Sequence, residues 1–130
     1  MTETVGHQIA RSLADAGVTV AFGIVGSAYM DALDLFPAAG IRFISVAHEQ
    51  AAAHAADGMA RVTRRPQVCI AQNGPGAANF VSAITAAFWA HSPVVAITYR
   101  MPVQVIEVLM LTLVLGTIIL SLLGAIGAAL

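Results

Sequence analysis

Residues 41–61 of the chain read IRFISVAHEQAAAHAADGMAR, and this stretch decides the fold class. Its first six residues form a short apolar run that is typical of a buried strand. The alanine-rich segment from His48 to Val62 then predicts a helix that begins close to where the strand ends. Apolar strands that lead into helices indicate a parallel sheet with helices on both faces. The stretch therefore predicts an α/β fold.

The same alternation continues on both sides of this stretch. Upstream, apolar residues at helical spacing predict a first helix that stops at Gly17, a residue suited to a C-terminal cap. The other predicted elements are strands over 18–26, 67–72 and 93–98 and helices over 27–40 and 78–90. The predicted order is αβαβαβαβ, a partial doubly wound parallel sheet of about four strands with flanking helices. Near the end of the last helix, Trp89 and His91 are predicted to be a packing residue and a capping residue.

The C-terminal part of the chain differs in composition from the rest. The 130-residue chain is 58% hydrophobic, and residues 108–130 carry no charged side chain. That span is long enough to cross a bilayer, so we predict a C-terminal hydrophobic helix that is a candidate transmembrane segment. The arginines that precede it would keep the N-terminal part in the cytoplasm. The predicted division is 1–100 for the α/β domain and 101–130 for an apolar tail, although a frameshift or a gene fusion would also produce such a tail.

Composition argues against several functions. The formal net charge is −1 and lysine is absent, so the sequence offers neither a basic face for nucleic acid nor the lysine of a phosphate-binding loop. The N-terminus has acidic residues and no apolar core of the kind found in export signals. The single cysteine, Cys69, is expected to be a small buried hydrophobe. His48 and His54 are six residues apart and fall on different faces of a helix, so we predict no metal site.

Three loops follow strands and are expected to meet at one edge of the sheet, where ligands bind in open parallel sheets. Their sequences are GIVGS at 23–27, AHEQ at 47–50 and QNGPGAAN at 72–79. Glu49 lies in the first turn of a helix, where the dipole favours a carboxylate, so taken alone it is explained as a helix-start acid. The glycine turn lacks the dinucleotide pattern G-x-G-x-x-G, and a tight turn with Asn79 as a capping or solvent-facing residue is its plain alternative.

Taken together, three motifs indicate a particular protein family, which none of them does alone. They are G-x-x-G after the first strand, H-E-Q-x-A-A-x-x-A-D-G-x-A-R at 48–61 and G-P-G-x-x-N at 74–79. With these motifs, residues 5–98 closely resemble the N-terminal pyrimidine-binding domain of thiamine diphosphate-dependent enzymes. Within that superfamily, the segments IAQNGPG and FWAHSP are most similar to sulfoacetaldehyde acetyltransferases.

The resemblance implies a role for Glu49. In the family, the glutamate of this motif hydrogen-bonds a ring nitrogen of the cofactor's aminopyrimidine and drives it to the imino tautomer, which deprotonates the thiazolium. An apolar surrounding raises the affinity of a carboxyl group for its proton, as such proton sharing requires.

The resemblance also assigns residues to two sides of a site. Glu49 would be catalytic, and the cofactor-binding residues would be Glu49, Gly74, Pro75, Gly76 and Asn79. The residues on the substrate side would be Val25 and Gly26, with Gln72 and Asn73 as further candidates whose role the sequence does not define.

The implied reaction converts sulfoacetaldehyde and phosphate into acetyl phosphate and sulfite. In the family, a separate C-terminal domain with a G-D-G motif holds the diphosphate and magnesium, and that motif does not occur in this sequence. We therefore expect the chain to be a truncated domain that binds only the pyrimidine end of thiamine diphosphate, to contain no magnesium ligands and to be inactive alone.

Partners and alternatives follow from the same expectations. The alanines near Glu49 suit close packing in a site built between two subunits, so the expected partner is a second copy or a complementing C-terminal domain. Resemblance implies a cytoplasmic protein, and the tail, if genuine, implies one attached to a membrane. The alternatives are a fragment of an acetolactate synthase-type or decarboxylase enzyme, and a non-catalytic membrane-anchored domain.

Overall fold

The structure, a computed structural model, describes residues 3–99. Within that range the chain forms four helices and four strands in the predicted order. The helices are α1 (Val5–Asp15), α2 (Met30–Leu33), α3 (Glu49–Thr63) and α4 (Asn73–Trp89). The strands are β1 (Val20–Gly23), β2 (Arg42–Ser45), β3 (Gln67–Gln72) and β4 (Val94–Tyr99).

The four strands make one parallel sheet in the order β2-β1-β3-β4. At the centre, Phe22 on β1 is paired with Ile44 on one side and Cys69 on the other. The chain leaves β1 for β2 and then returns to the opposite side of β1 as β3. This change of direction creates a switch point between β1 and β3, the place where ligands bind in open α/β sheets. The predicted fold class is confirmed for the described residues.

Two apolar cores cover the two faces of the sheet, because successive strand residues point to opposite sides. Ala21, Val68 and Ile70 face α1 and the α2 region, where Phe36 and Ile41 are buried. On the other face, the buried residues include Val20, Phe22, Cys69, Ala71, Ala52, Ala53, Ala56 and Phe80. The small alanine side chains of α3 let this helix lie close to the sheet, which fixes the position of its first residue.

Helix ends follow the expected chemistry in most places. Gly17 has a φ of +83°, as its predicted capping position requires. His48 caps α3, since its Nδ1 accepts a hydrogen bond from the backbone N–H of Gln50 at 3.2 Å. His91, with a φ of 52°, donates its backbone N–H to the carbonyl of Phe88 at 3.0 Å and so ends α4 as predicted.

Three predictions need correction. The helix expected over 78–90 begins five residues earlier, so the predicted glycine turn is the first turn of α4. The helix expected over 27–40 is reduced to α2, because Pro37 disfavours a helical Phe36 before it, and the chain from Asp34 to Gly40 folds into turns. Trp89 is not a packing residue, since 77% of its surface is exposed. Its ring meets only its neighbour among the aromatic residues of the described range, edge to face with Phe88 at a centroid distance of 6.2 Å.

Within residues 3–99, no helix has both the length and the apolar character needed to cross a membrane. The predicted C-terminal hydrophobic helix and the division at residue 100 involve residues outside the described range. They stay predictions.

Candidate functional site

The candidate site is centred on Glu49, the first residue of α3. The helix begins at the carboxyl edge of the sheet, directly after β2, and leaves the Glu49 side chain half-buried. The side-chain amide of Asn79, in the second turn of α4, donates a hydrogen bond from Nδ2 to Oε2 of Glu49 at 2.9 Å. Two residues predicted for the cofactor side, from different loops, are therefore in direct contact.

The other carboxylate oxygen of Glu49 lies above the glycine turn. A Cβ atom added at Gly76 would be 2.9 Å from Oε1 of Glu49 and 3.1 Å from the Cβ of Ala71. The first distance is shorter than real Cβ contacts, so a side chain at position 76 would displace the carboxylate. Gly74 is also buried, whereas Pro75 is exposed. The absence of a side chain at Gly76 thus lets Oε1 of Glu49 lie close to the backbone of α4.

A second contact fixes the same two helices next to each other. The side-chain amide of Gln50 donates to Oγ of Ser82 at 2.7 Å. Ser82 follows Asn79 by three residues, so both lie on one face of α4. The first two residues of α3 are therefore each tied to α4, which orients the Glu49 carboxylate relative to the glycine turn. Sequence reasoning missed Gln50 and Ser82, although the spacing of Asn79 and Ser82 was a usable signal.

The residues predicted for the substrate side meet at the switch point. A Cβ atom at Gly26 would be 1.7 Å from Oε1 and 2.8 Å from Cβ of Gln72, so Gly26 lies directly against this side chain. The Gln72 amide also donates to Oγ of Ser27 at 3.5 Å, a weak contact. Val25 is 55% exposed beside them. The loop after β1 is thus in contact with the end of β3.

Asn73 has a structural explanation that the sequence did not supply. Its φ is 57°, in the left-handed region that asparagine tolerates better than most residues. The residue turns the chain from β3 into α4 and so aims the glycine turn at Glu49.

Tyr29 is a buried residue near the site that sequence reasoning missed. Its hydroxyl donates a hydrogen bond to the backbone carbonyl of Ile24. Burial raises the pKa of Tyr29, and the negative charge of Glu49 raises it further. The Tyr29 hydroxyl therefore lies within the electric field of the glutamate.

The remaining charged residues of the H-E-Q motif form a structural ion pair. Asp57 is buried two turns along α3 from Glu49 and accepts two hydrogen bonds from Arg61, at 2.9 and 2.6 Å. These bonds lower the pKa of Asp57 despite its burial, with smaller contributions from Ser92 and His54. This pair stabilises the helix and takes no part in the candidate site.

No group of three or more histidine, cysteine, aspartate or glutamate side chains within residues 3–99 is arranged to hold a metal ion. His48 is occupied as a helix cap and His54 is exposed. The residues that could contact an organic cofactor are those gathered around Glu49 and the glycine turn.

A parallel α/β sheet with a half-buried glutamate beside a glycine turn at its carboxyl edge defines a cofactor-binding domain of the thiamine-dependent class. The chain belongs to the family described as "Thiamine pyrophosphate enzyme, N-terminal TPP binding domain", whose model matches residues 3–118. The match reaches further along the chain than the resemblance over residues 5–98.

Similar proteins agree with this family. A sulfoacetaldehyde acetyltransferase from Castellaniella defragrans is 63% identical over 82 residues, covering 63% of this chain and 14% of that protein. An acetolactate synthase from Mycobacterium bovis is 47% identical over 96 residues, covering 73% and 16%. The solved structure of a putative thiamin diphosphate-dependent enzyme from Mycobacterium smegmatis aligns with a TM-score of 0.69 at 26% identity, over 76% of this chain and 19% of that one. The chain thus spans only 14–16% of the length of these two curated relatives.

Proposed function

We propose that this chain provides the aminopyrimidine-binding half of a thiamine diphosphate site in an enzyme of the sulfoacetaldehyde acetyltransferase type. The observation that carries the proposal is the arrangement of Glu49, with Oε2 bonded to Asn79 and Oε1 directed over Gly76. A carboxyl group with one oxygen held and the other without a donor among residues 3–99 is suited to hydrogen-bonding a ring nitrogen.

The residues around Glu49 fit an aromatic ring that carries polar atoms on its edge. Gly76 has no side chain, so Oε1 of Glu49 lies close to the backbone of α4 at this residue. Nothing within residues 3–99 donates a hydrogen bond to Oε1, so this oxygen is available to a ligand.

In the proposed mechanism, Glu49 exchanges a proton with the aminopyrimidine ring through Oε1. Asn79 keeps the carboxylate in one orientation during this exchange, and the backbone of the glycine turn limits where the ring can lie. When bound, thiamine diphosphate supplies a nucleophilic carbon and stabilises the negative charge that develops after attack on a carbonyl. The loop with Val25 and Gly26 would face the substrate, with Gln72 and Asn73 beside it.

The proposed overall reaction takes sulfoacetaldehyde and phosphate to acetyl phosphate and sulfite. The 63% identity with a sulfoacetaldehyde acetyltransferase supports this choice. The second candidate is an acetolactate synthase-type reaction, which the 47% identity over a longer alignment supports. The two candidates share the proposed role of Glu49 and differ in the substrate.

The rest of the site would come from another part of the enzyme. Magnesium prefers carboxylate and phosphate oxygens in near-octahedral geometry, and residues 3–99 present no such cluster of acids. We propose that a complementing domain or a second subunit holds the diphosphate and magnesium. The family resemblance supports a cytoplasmic enzyme.

A hybrid enzyme tests the proposal. The residues of this chain that align with the Castellaniella defragrans acetyltransferase replace their counterparts there, and sulfite release is measured. The hybrid should turn over, and Glu49→Gln should lower kcat by about 10²- to 10⁴-fold, because an amide cannot exchange the proton.

The control is Asp15→Asn, which changes an exposed carboxylate at the end of α1 and should leave kcat unaltered. A loss of only a few-fold for Glu49→Gln would mean that Glu49 is a helix-start acid. A folded hybrid that makes acetolactate from pyruvate but releases no sulfite would favour the second candidate.

A further inference from the structure

Tyr29 holds the loop after β1 at two points. Its hydroxyl donates to the carbonyl of Ile24, and its backbone N–H donates to the carbonyl of Gly26 at 3.3 Å. The residue itself is only 5% exposed, and its ring belongs to the core that covers the α1 face of the sheet. A buried core residue is therefore bonded to two carbonyls of the short loop in which Val25 and Ser27 are exposed.

The loop held by Tyr29 is the one that meets β3 at the switch point. Between the two bonded carbonyls lies Val25, and Gly26 itself lies against the side chain of Gln72. The contact between the loop and Gln72 has little strength of its own, because its one hydrogen bond, from Gln72 to Ser27, is 3.5 Å long. The position of Gly26 must be fixed from elsewhere, and Tyr29 is the buried residue that does so.

We propose that Tyr29 is a positioning residue for the substrate side of the site, which keeps Gly26 against Gln72 through its hydrogen bonds to the loop after β1. The proposal rests on the proposed function in that this loop borders the substrate. It assigns to Tyr29 a task that its ring alone could not perform, since the contact to Ile24 requires the hydroxyl.

The protonation of Tyr29 suits this role. Burial raises the pKa of Tyr29, and the charge of Glu49 raises it further. The hydroxyl therefore stays protonated and remains a donor to Ile24 across the neutral range.

Tyr29→Phe in the full 130-residue chain tests the proposal, because it keeps the ring and removes only the hydroxyl. Nuclear magnetic resonance on the labelled chain would record backbone order parameters for Val25 and Gly26 and the cross-peaks between Gly26 and Gln72. We expect the order parameters of the loop to fall from about 0.85 to below about 0.6, and the cross-peaks to disappear. The order parameters of Val68 and Ile70 in β3 should not change.

Two results would overturn the proposal. A loop that stays ordered in Tyr29→Phe would show that the hydroxyl is not needed, and equal loosening of β3 and the loop would show that Tyr29 is merely a core residue. Tyr29→Leu is the matched control, which should destabilise the whole domain through loss of the ring.

A second measurement in the otherwise unchanged chain does not depend on the folding of Tyr29 variants. Glu49→Gln should lower the pH at which the Tyr29 ring signals titrate, whereas Asp34→Asn should not. An unchanged titration would contradict an electrostatic effect of Glu49 on the Tyr29 hydroxyl. None of these measurements uses the cofactor. They can therefore contradict the proposed role of Tyr29 while Glu49 is still required for turnover. Equally, they can support the role of Tyr29 when Glu49→Gln leaves turnover unaffected.

Discussion

Two physical demands meet at Glu49. As the first residue of α3 it carries a negative charge where the helix dipole favours one, and as the centre of the candidate site it offers an oxygen to a ligand. Two neighbouring residues allow Glu49 to meet both demands. His48 caps the helix through its own ring, and Asn79 occupies one oxygen of Glu49, so the other oxygen is available for chemistry.

Gly76→Ala tests this arrangement at the residue scale. The added Cβ would be 2.9 Å from Oε1 of Glu49, and the carboxylate would have to turn away and weaken its bond to Asn79. In the hybrid enzyme we expect kcat to fall by roughly tenfold to a hundredfold, since small misplacements of catalytic groups have effects of this size.

Gly58→Ala is the matched control for Gly76→Ala. It makes the same change within α3 at a position where an added Cβ meets nothing within 4 Å. It should leave turnover unchanged and stabilise the helix by about 0.5–1 kcal/mol. Equal activity of the two variants would show that the space beside Oε1 is not used.

The Asp57–Arg61 pair has a different consequence at the same scale. The folded pKa of Asp57 lies below its ordinary value of 3.8, so its stabilising contribution is complete above that value and is lost as the pH falls through the folded pKa. Asp57→Ala should lower the free energy of unfolding by about 1–3 kcal/mol at pH 7. Denaturant titrations of the full chain should show the difference from the unchanged chain shrinking below pH 4, and Asp15→Ala, an exposed control, should cost less than about 0.5 kcal/mol.

At the scale of elements, the sequence predicted what local patterns determine. Buried strands with continuous apolar runs, such as β3, and the cap at Gly17 were identified because their signals lie within a few residues. The length of α2 was not predicted correctly. The backbone N–H groups after Asp34 form turn hydrogen bonds and do not extend the helix. The exposed ring of Trp89 was assigned to the interior on residue type alone, which does not determine burial.

For the candidate site, the sequence supplied a list of residues but not the contacts between them. The motifs and the family resemblance predicted Glu49, Gly76 and Asn79 as site residues. The distances between these residues depend on how α3 packs beside α4. The contact of Gly26 with Gln72 joins residues 46 positions apart, and no local pattern specifies such a pair. Tyr29 was missed for the same reason, because its hydrogen bonds to the carbonyls of Ile24 and Gly26 form only in the folded loop.

At the scale of the whole molecule, Cys69 reports on the integrity of the sheet. It lies on the central strand β3, and burial raises its pKa to about 12. At pH 8 only about one thiol in ten thousand would be ionised, so a maleimide should react extremely slowly with the folded full chain. Addition of denaturant should make labelling complete within minutes, whereas rapid labelling without denaturant would mean that the sheet opens readily.

The apolar tail leads to a prediction for the whole chain in cells. If residues 108–130 span a bilayer, the full chain expressed in bacteria should sediment with membranes and resist carbonate extraction, because an apolar span of that length inserts. The control is a chain that ends at residue 100, which should not sediment with membranes. A full chain that stays in the supernatant as a single species would contradict both the membrane segment and the division at residue 100.

The strand order β2-β1-β3-β4 also has a consequence for synthesis on the ribosome. The N-terminal part of a nascent chain emerges first, so β1 and β2 are available to pair while one side of β1 still lacks its neighbour. Glu49 precedes Gly76 and Asn79 in the sequence, so it leaves the exit tunnel before they do. Glu49 therefore emerges without its neighbours in the candidate site, and assembly of that site must wait for α4 to leave the tunnel.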